Sequence, residues 1–440
     1  MNTFINPPKD QWQQLLQRPA FDTASLKEKV AAILSDVKQN GDSAIRKYTQ
    51  QFDEVSLSTF LVTAAEISEA ANAVSSNLKA AIEIARKNIE TFHLSQKENT
   101  VKIETMPGVV CWRRSTGIEK VGLYIPGGTA PLFSTLLMLG IPAAIAGCKE
   151  IVVCTPSDKQ GKVNPVILYT AAVLGIKNIY KIGGVQAIGA MAYGTASVPK
   201  VYKIFGPGNQ YVTCAKQLIN MEGIAIDMPA GPSEVAVYAD ENCNPAFIAA
   251  DLLSQAEHGA DSQVLLVANS IAIIDTVKAE LDVQLELLPR AAFAARSLNN
   301  SKFIVMTNET DAFNLLNEYA PEHLIIASDK AELLADKVLN AGSVFLGHHT
   351  PEAVGDYASG TNHTLPTNGH AKTYSGVSID SFIKKITFQQ LTKEGLKNIS
   401  AAVEIMAEAE GLEAHKNAVS IRMKMDAFPN AFRKDFYDKH

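Results

Sequence analysis

The chain has 440 residues, 47% of them hydrophobic and 20% charged, with a formal net charge of -6. That length requires more than one core. The composition is that of an ordinary globular protein, and the acidic balance argues against a general binder of nucleic acid or anionic membranes. No apolar run reaches membrane-spanning length. The stretch 132–148 comes nearest, and Gly140, Pro142 and Gly147 interrupt it. The first ten residues lack the basic-then-apolar pattern of a signal peptide. The five cysteines (Cys111, Cys148, Cys154, Cys214, Cys243) have no C-x-x-C spacing, which suits reduced thiols and leads us to expect a cytoplasmic protein.

In chain order, residues 1–23 read as a short arm. Apolar spacing predicts a helix over 24–39, with Leu26, Val30, Ile33, Leu34 and Val37 on one face. Gly41-Asp42 breaks it, a second helix runs over 43–52, and a long helical run over 64–95. A strand region follows over 101–113. From Val121 the texture changes: strands at 121–125, 151–154, 178–182 and 201–205 alternate with helices such as 133–139 and 166–174. That rhythm predicts βαβ units and a largely parallel sheet. Glycines follow the strands at Gly127-Gly128, Gly183-Gly184 and Gly206-Pro207-Gly208, where open α/β sheets bind ligands. The dinucleotide fingerprint is absent, because Tyr211 stands where its third glycine should be. Taken singly, each glycine turn is better read as structural.

After a loop over 226–234, with Ser233 and Glu234 at a strand entrance, a second α/β run begins. Strands are expected at 235–239, 264–268, 302–306, 324–327 and 344–346, and helices near 271–288, 310–319 and 330–339. No internal repeat is evident. Helices over 394–410 and from 412 onward close the chain, with Gly411 between them, and 426–440 reads as a loosely attached tail.

The polar clusters fall in this second half. Asp251-Leu252-Leu253-Ser254-Gln255-Ala256-Glu257-His258-Gly259 reads as a helix end. Its Gln255 and His258, three apart, share one face of the last turn. They can point together at an ion or a ligand, or simply face water, and alone the second is the better reading. Pro321-Glu322-His323 precedes an apolar strand. The two side chains are an acid/base pair or part of a capped turn. Gly355-Asp356-Tyr357-Ala358-Ser359-Gly360-Thr361-Asn362-His363 opens a glycine-rich loop running to Gly376, and loops of that length inside a domain are usually functional or mobile. His348, His349 and His370 stand nearby. Glu410 and His415 flank the break at Gly411.

Together these motifs resemble the histidinol dehydrogenase family. Its pattern is carried by Tyr124-Ile125-Pro126-Gly127-Gly128, Phe205-Gly206-Pro207-Gly208-Asn209, the run from Ile226 to Glu234, the run from Asp251 to Gly259, Pro321-Glu322-His323-Leu324, the run from Gly355 to His363, and Ala414-His415-Lys416-Asn417-Ala418. The resemblance covers about 25–423 and keeps every motif in order. The His348-His349 pair and the tail depart from it without touching a motif residue.

The resemblance implies a zinc-dependent, NAD-linked enzyme that oxidises L-histidinol through L-histidinal to L-histidine, reducing two NAD. It implies zinc ligands Gln255, His258, Asp356 and His415, and an acid/base pair Glu322 and His323. Ser233, His363 and Glu410 would help those residues hold the substrate, and Tyr124, Gln186 and Asn209 would contact NAD. It implies a homodimer of incomplete Rossmann-like domains in which His415 reaches the partner subunit's site. The expected layout is an N-terminal arm (1–23), a discontinuous α/β domain carrying metal and catalytic residues (24–122 and 234–376), an α/β domain on the NAD side (123–233) and a C-terminal helical segment (377–440). The ligand set lacks the thiolates of closed structural zinc sites, which leaves room for substrate nitrogens. Two rivals fit less well. A thiol-dependent aldehyde dehydrogenase needs an activated cysteine, and no cysteine lies among these clusters. A non-catalytic binding module has no use for Glu322-His323.

Overall fold

The computed structural model describes residues 2–18, 23–127, 131–229 and 231–427. Gly128 and Ala230 of the family motifs, and the end of the expected tail, lie outside them. The chain divides into two compact units, Met1–Gln96 with Gly117–Phe382, and Lys97–Thr116 with Ile383–His440.

The first unit contains two parallel sheets. In one, Lys120–Tyr124, Glu150–Thr155, Asn178–Lys181, Lys203–Phe205 and Ala225–Ile226 lie in the spatial order third, second, first, fourth, fifth. In the other, Glu234–Ala239, Gln263–Ala268, Lys302–Val305, His323–Ala327 and Ser343–Leu346 repeat that order, and Asn2–Ile5 adds a sixth strand beside Lys302–Val305. This is the order of an incomplete doubly wound fold, used twice. Both sheets are covered on both faces. Val121, Leu123 and Val153 pack under Leu136, Leu139 and Ile167, while Ile248, Leu252 and Val277 cover one face of the larger sheet and Phe313, Leu316 and Tyr319 the other. Two-sided burial explains why strands such as Glu234–Ala239 are apolar throughout rather than alternating. No helix among the described residues is long and apolar enough to cross a membrane.

Two expectations about the helices differ from the structure. The helices Thr23–Asn40 and Asp42–Phe52 pack on the smaller sheet, not the larger: Val30, Ile33, Leu34, Val37 and Ile45 share a core with Ile182, Ile188 and Val201. The N-terminal arm packs on the larger sheet: Asn2–Ile5 is a sheet strand, and Trp12, Leu15 and Leu16 are buried against that sheet. The run 64–95 is two helices, Ala64–Ala73 and Ser76–Leu94, because the Ser75 side chain accepts from the Leu78 N–H and starts a new helix.

The second unit is a three-stranded sheet, ordered Ile383–Leu391, Val109–Gly117, Lys102–Met106, with two helices, Lys393–Ala409 and Glu413–Ala427. The hairpin 102–117, expected in the first domain, belongs here, as does the strand Ile383–Leu391, which the sequence reading missed. Gly108 turns the hairpin at φ +79°, and a Cβ there would meet the Gly395 backbone N at 2.8 Å.

Candidate active site

Glu322 and His323 stand at the amino end of the larger sheet. His323 opens its strand opposite Val235, one residue after Glu234 opens the neighbouring one. Both side chains are buried, Glu322 at 7% exposure and His323 at 3%. Glu322 Oε2 accepts from the Glu234 backbone N–H at 2.9 Å. His323 Nδ1 lies 3.1 Å from the Glu234 backbone oxygen. A carbonyl can only accept, so Nδ1 carries the proton in that contact, and Nε2 faces Asp356 Oδ1 at 3.5 Å.

Gln255 comes in on the last turn of helix Pro245–Ala256, which runs back along the sheet to the same edge. Its Nε2 is 3.3 Å from His323 Nδ1, a contact between two donors while Nδ1 carries the proton and therefore not a hydrogen bond. Its Oε1 is buried without a hydrogen-bond partner, an arrangement that costs free energy unless a ligand completes it. Asp356 was expected on a loop, yet it sits on the short helix Glu352–Tyr357. The backbone oxygen of Asp356 is 2.8 Å from His363 Nδ1, and the other ring nitrogen of His363 is 3.0 Å from the Thr135 hydroxyl. Ser233 immediately precedes Glu234 and is half-buried.

The charges are mutually dependent. Burial pushes the Glu322 carboxyl up to about 8, against the pull of His323 and the Glu234 N–H. Burial works against an imidazolium at His323, but Glu322, Asp356 and Glu352 outweigh it and raise the ring to about 10. Burial also opposes ionisation of Asp356, and the histidines around it win, holding it below the usual carboxylate range. His258 and His363 are depressed, chiefly by loss of hydration. For His258 this holds although the residue is exposed, because it sits in the wall of the cavity described below. Neutral imidazoles are the form that binds metals.

A cavity of about 1130 Å³ opens on the smaller sheet. Its walls include Tyr124, Gly127, Pro156, Gly184, Gln186, Gly208 and Asn209, all at the carboxyl ends of strands, and it extends to His258, Arg290 and Tyr357. Strands Lys120–Tyr124 and Lys203–Phe205 are neighbours at the switch in strand order, the place where doubly wound sheets bind nucleotides. Gly206 makes the close approach possible: a Cβ there would lie 2.1 Å from the Tyr124 oxygen. The Tyr124 hydroxyl accepts from the Gly184 N–H at 3.2 Å. Asn209 caps helix Gln210–Met221 by accepting from the Tyr211 and Val212 N–H groups. Gln186 is 1% exposed, and neither its amide oxygen nor its nitrogen has a partner.

Of the expected residues, Gln255, Glu322, His323, Asp356 and His363 are therefore gathered by direct contacts, and Tyr124, Gln186, Asn209 and His258 line one cavity. Glu410 and His415 belong to the second unit, where both are exposed. Among the described residues no three His, Cys, Asp or Glu side chains converge on one ion position. Gln255 offers an amide rather than one of those side chains, and His415 lies in the second unit. His348 is engaged elsewhere, 3.1 Å from Asp329 Oδ1.

Two groups were missed from sequence. Glu352 is fully buried, takes a hydrogen bond from the Ser254 hydroxyl at 2.9 Å, leaves Oε2 unpartnered and is pushed by burial to about 8. It stands four residues before Asp356, on the same helix face, but a six-residue helix gives no periodic signal. Asp53 lines the cavity with a buried, unpartnered Oδ2, and burial raises it to about 6.

The profile of the histidinol dehydrogenase family matches residues 16–423. The chain is 59% identical over 417 residues to histidinol dehydrogenase from Bacteroides thetaiotaomicron, covering 95% of this chain and 97% of that protein. It is 52% identical over 422 residues to the enzyme from Xylella fastidiosa strain Temecula1, covering 94% and 98%. The crystal structure of histidinol dehydrogenase from Elizabethkingia anophelis superposes with a TM-score of 0.94 at 56% identity, over 96% of this chain and 98% of that one.

Proposed function

The chain belongs to the histidinol dehydrogenase family, and from that premise we propose that it oxidises L-histidinol through L-histidinal to L-histidine with reduction of two NAD. The observation that carries the proposal is the buried Glu322-His323 pair beside Asp356 and the unsatisfied amide oxygen of Gln255. The first oxidation removes a proton from oxygen and a hydride from carbon. His323 Nε2, with Nδ1 held by the Glu234 carbonyl, accepts the alcohol proton. The second oxidation also adds water to the aldehyde, and Glu322 takes the proton of that water. Asp356 and Glu410 suit a substrate that carries an amine and an imidazole.

The proposed metal donors are Gln255, His258 and Asp356 from one chain and His415 from its partner. The orphaned Gln255 oxygen and a neutral His258 fit zinc. Zinc would supply anchoring of the substrate nitrogens, a positioning role. NAD would accept hydride from the carbon, and the cavity with its unpartnered Gln186 amide fits that cofactor, with Tyr124 and Asn209 as its other proposed contacts. The substrate would be held by Ser233, Gln255, His258, His323, Asp356, His363, Glu410 and His415. Purified protein given NAD and L-histidinol should produce NADH and L-histidine. No NADH from histidinol, with NAD bound, would refute the reading.

We further propose a homodimer with shared sites. Support comes from the second unit, which exposes Ile405, Met406, Leu412 and Ile421, more apolar surface than a solvated helical pair needs. Glu322→Ala and His415→Ala should each be inactive. Refolded together, random pairing makes about half the dimers mixed, and each mixed dimer has one intact site, so roughly a quarter of normal activity should return. No recovery, with mixed dimers confirmed by mass spectrometry, would place His415 in its own chain's site or outside it.

Thiol catalysis is opposed by the setting of the cysteines. Burial raises Cys148 and Cys243 to about 11, and raises Cys154 and Cys214 as well. Single Cys→Ser variants at 111, 148, 154, 214 and 243 should keep histidinal oxidation within about twofold, apart from packing losses at buried Cys154 and Cys214. A stable variant with that step abolished would establish a covalent route.

A further inference from the structure

Glu322 and His323 hang from one residue. The Glu234 backbone N–H holds the Glu322 carboxylate at 2.9 Å, and the Glu234 backbone oxygen holds His323 Nδ1 at 3.1 Å. The Glu234 side chain points into protein and is itself buried at 2% exposure, so its charge needs partners. Arg18 provides a fork, Nε to Oε1 at 2.5 Å and Nη2 to Oε2 at 2.8 Å. The same guanidinium donates to the Tyr319 backbone oxygen at 2.8 Å and lies 4.1 Å from the centroid of the Tyr319 ring. The Asn368 N–H completes the set, donating to Glu234 Oε1 at 2.9 Å.

We propose that Arg18 is a positioning residue for the acid/base pair: its fork on the Glu234 carboxylate fixes the strand entrance from which both catalytic groups are aimed. The inference rests on the reading of Glu322 and His323 as catalytic. Arg18 touches neither of them. It reaches Glu234 across 216 residues of chain, from the segment that leads in from the first strand. Without the guanidinium, the buried carboxylate must gain a proton or admit water. Either change releases the strand entrance and the Asn368 loop together. A shift there moves both catalytic side chains, and misplacement of about 1 Å is enough to cost roughly a hundredfold in rate. A lysine would keep the charge but lose the two-pronged geometry.

Arg18 is not the segment's anchor. Asn2–Ile5 pairs with Lys302–Val305 along its whole length, and Trp12, Leu15 and Leu16 are buried independently. Loss of the guanidinium should therefore disturb turnover more than folding.

The test compares the unaltered protein, Arg18→Met, Glu234→Gln and the double variant at saturating L-histidinol and NAD, with thermal melting alongside. Failure of the unaltered protein to oxidise histidinol would refute the functional reading, separately from this inference. Given that activity, Arg18→Met should lower kcat by about 10- to 100-fold, and KM for NAD should stay within about twofold, since the cavity lies on the other sheet. The double variant should regain roughly tenfold over Arg18→Met, because a neutral amide at position 234 needs no counter-charge. A folded Arg18→Met with normal kcat, or a double variant no faster than the single, would overturn the proposal. If Arg18→Met does not fold, Arg18→Lys is read in its place: a kcat loss with an unchanged melting point supports the proposal, and unchanged kcat overturns it.

Discussion

Glu322→Gln should slow oxidation of L-histidinal by roughly a hundred- to ten-thousand-fold while slowing the alcohol step less. Glutamine matches the shape of glutamate, and its oxygen can still accept from the Glu234 N–H. It cannot take a proton from water, and only the aldehyde step needs water. His323→Ala should impair the alcohol step at least as strongly, since it removes the nitrogen that faces Asp356. The direction of pH dependence follows from the same groups. Glu322 is raised to about 8 and His323 to about 10, so near neutrality both favour the protonated form, in which neither can act as a base. Turnover should therefore climb from neutral toward alkaline pH as the carboxyl and then the imidazolium lose protons. Single-turnover rates on each substrate, measured across that range, test both statements. Near-normal rates for both variants, or a rate that falls through pH 8, would remove the pair from the chemistry.

Removal of bound metal should abolish turnover, and added Zn²⁺ should restore it. The reason lies in Gln255. Its amide oxygen is buried at 1% exposure with no partner, an arrangement proteins rarely retain without a ligand. Folding should survive chelation, because the two sheets of the first unit have their own cores. Circular dichroism should therefore change little while activity disappears. Asp356→Asn and Gln255→Ala should each lower metal content, read by elemental analysis. Full activity in protein shown to be metal-free would refute the metal's role.

Much of the architecture was legible because of how it is buried. Strands covered on both faces are continuous apolar runs, and Val235–Ala239 and Val264–Ala268 stand out of the sequence for that reason. Which sheet a helix covers was not legible. Val30, Ile33 and Val37 announce an apolar face, but periodicity does not say what that face meets, and the first helices were assigned to the wrong sheet. The repeated strand order was invisible too, since topology repeats here without repeated sequence. At the site, adjacency drew notice to Glu322 and His323 and helical spacing to Gln255 with His258, but each motif alone read equally well as structural, and only the family resemblance gave them roles. Glu352 escaped because its helix is one and a half turns long. Arg18 escaped because its partner Glu234 lies 216 positions away, and no local pattern encodes a contact at that distance.

The most direct test is the stoichiometry of a complete reaction. A limiting, known amount of L-histidinol is converted by the purified protein with excess NAD, and NADH and L-histidine are quantified at the end point. Two NADH and one histidine are expected for each histidinol, with no histidinal left in solution. One NADH per histidinol, with histidinal accumulating, would show that the Glu322-His323 site performs only the alcohol oxidation and would contradict the account.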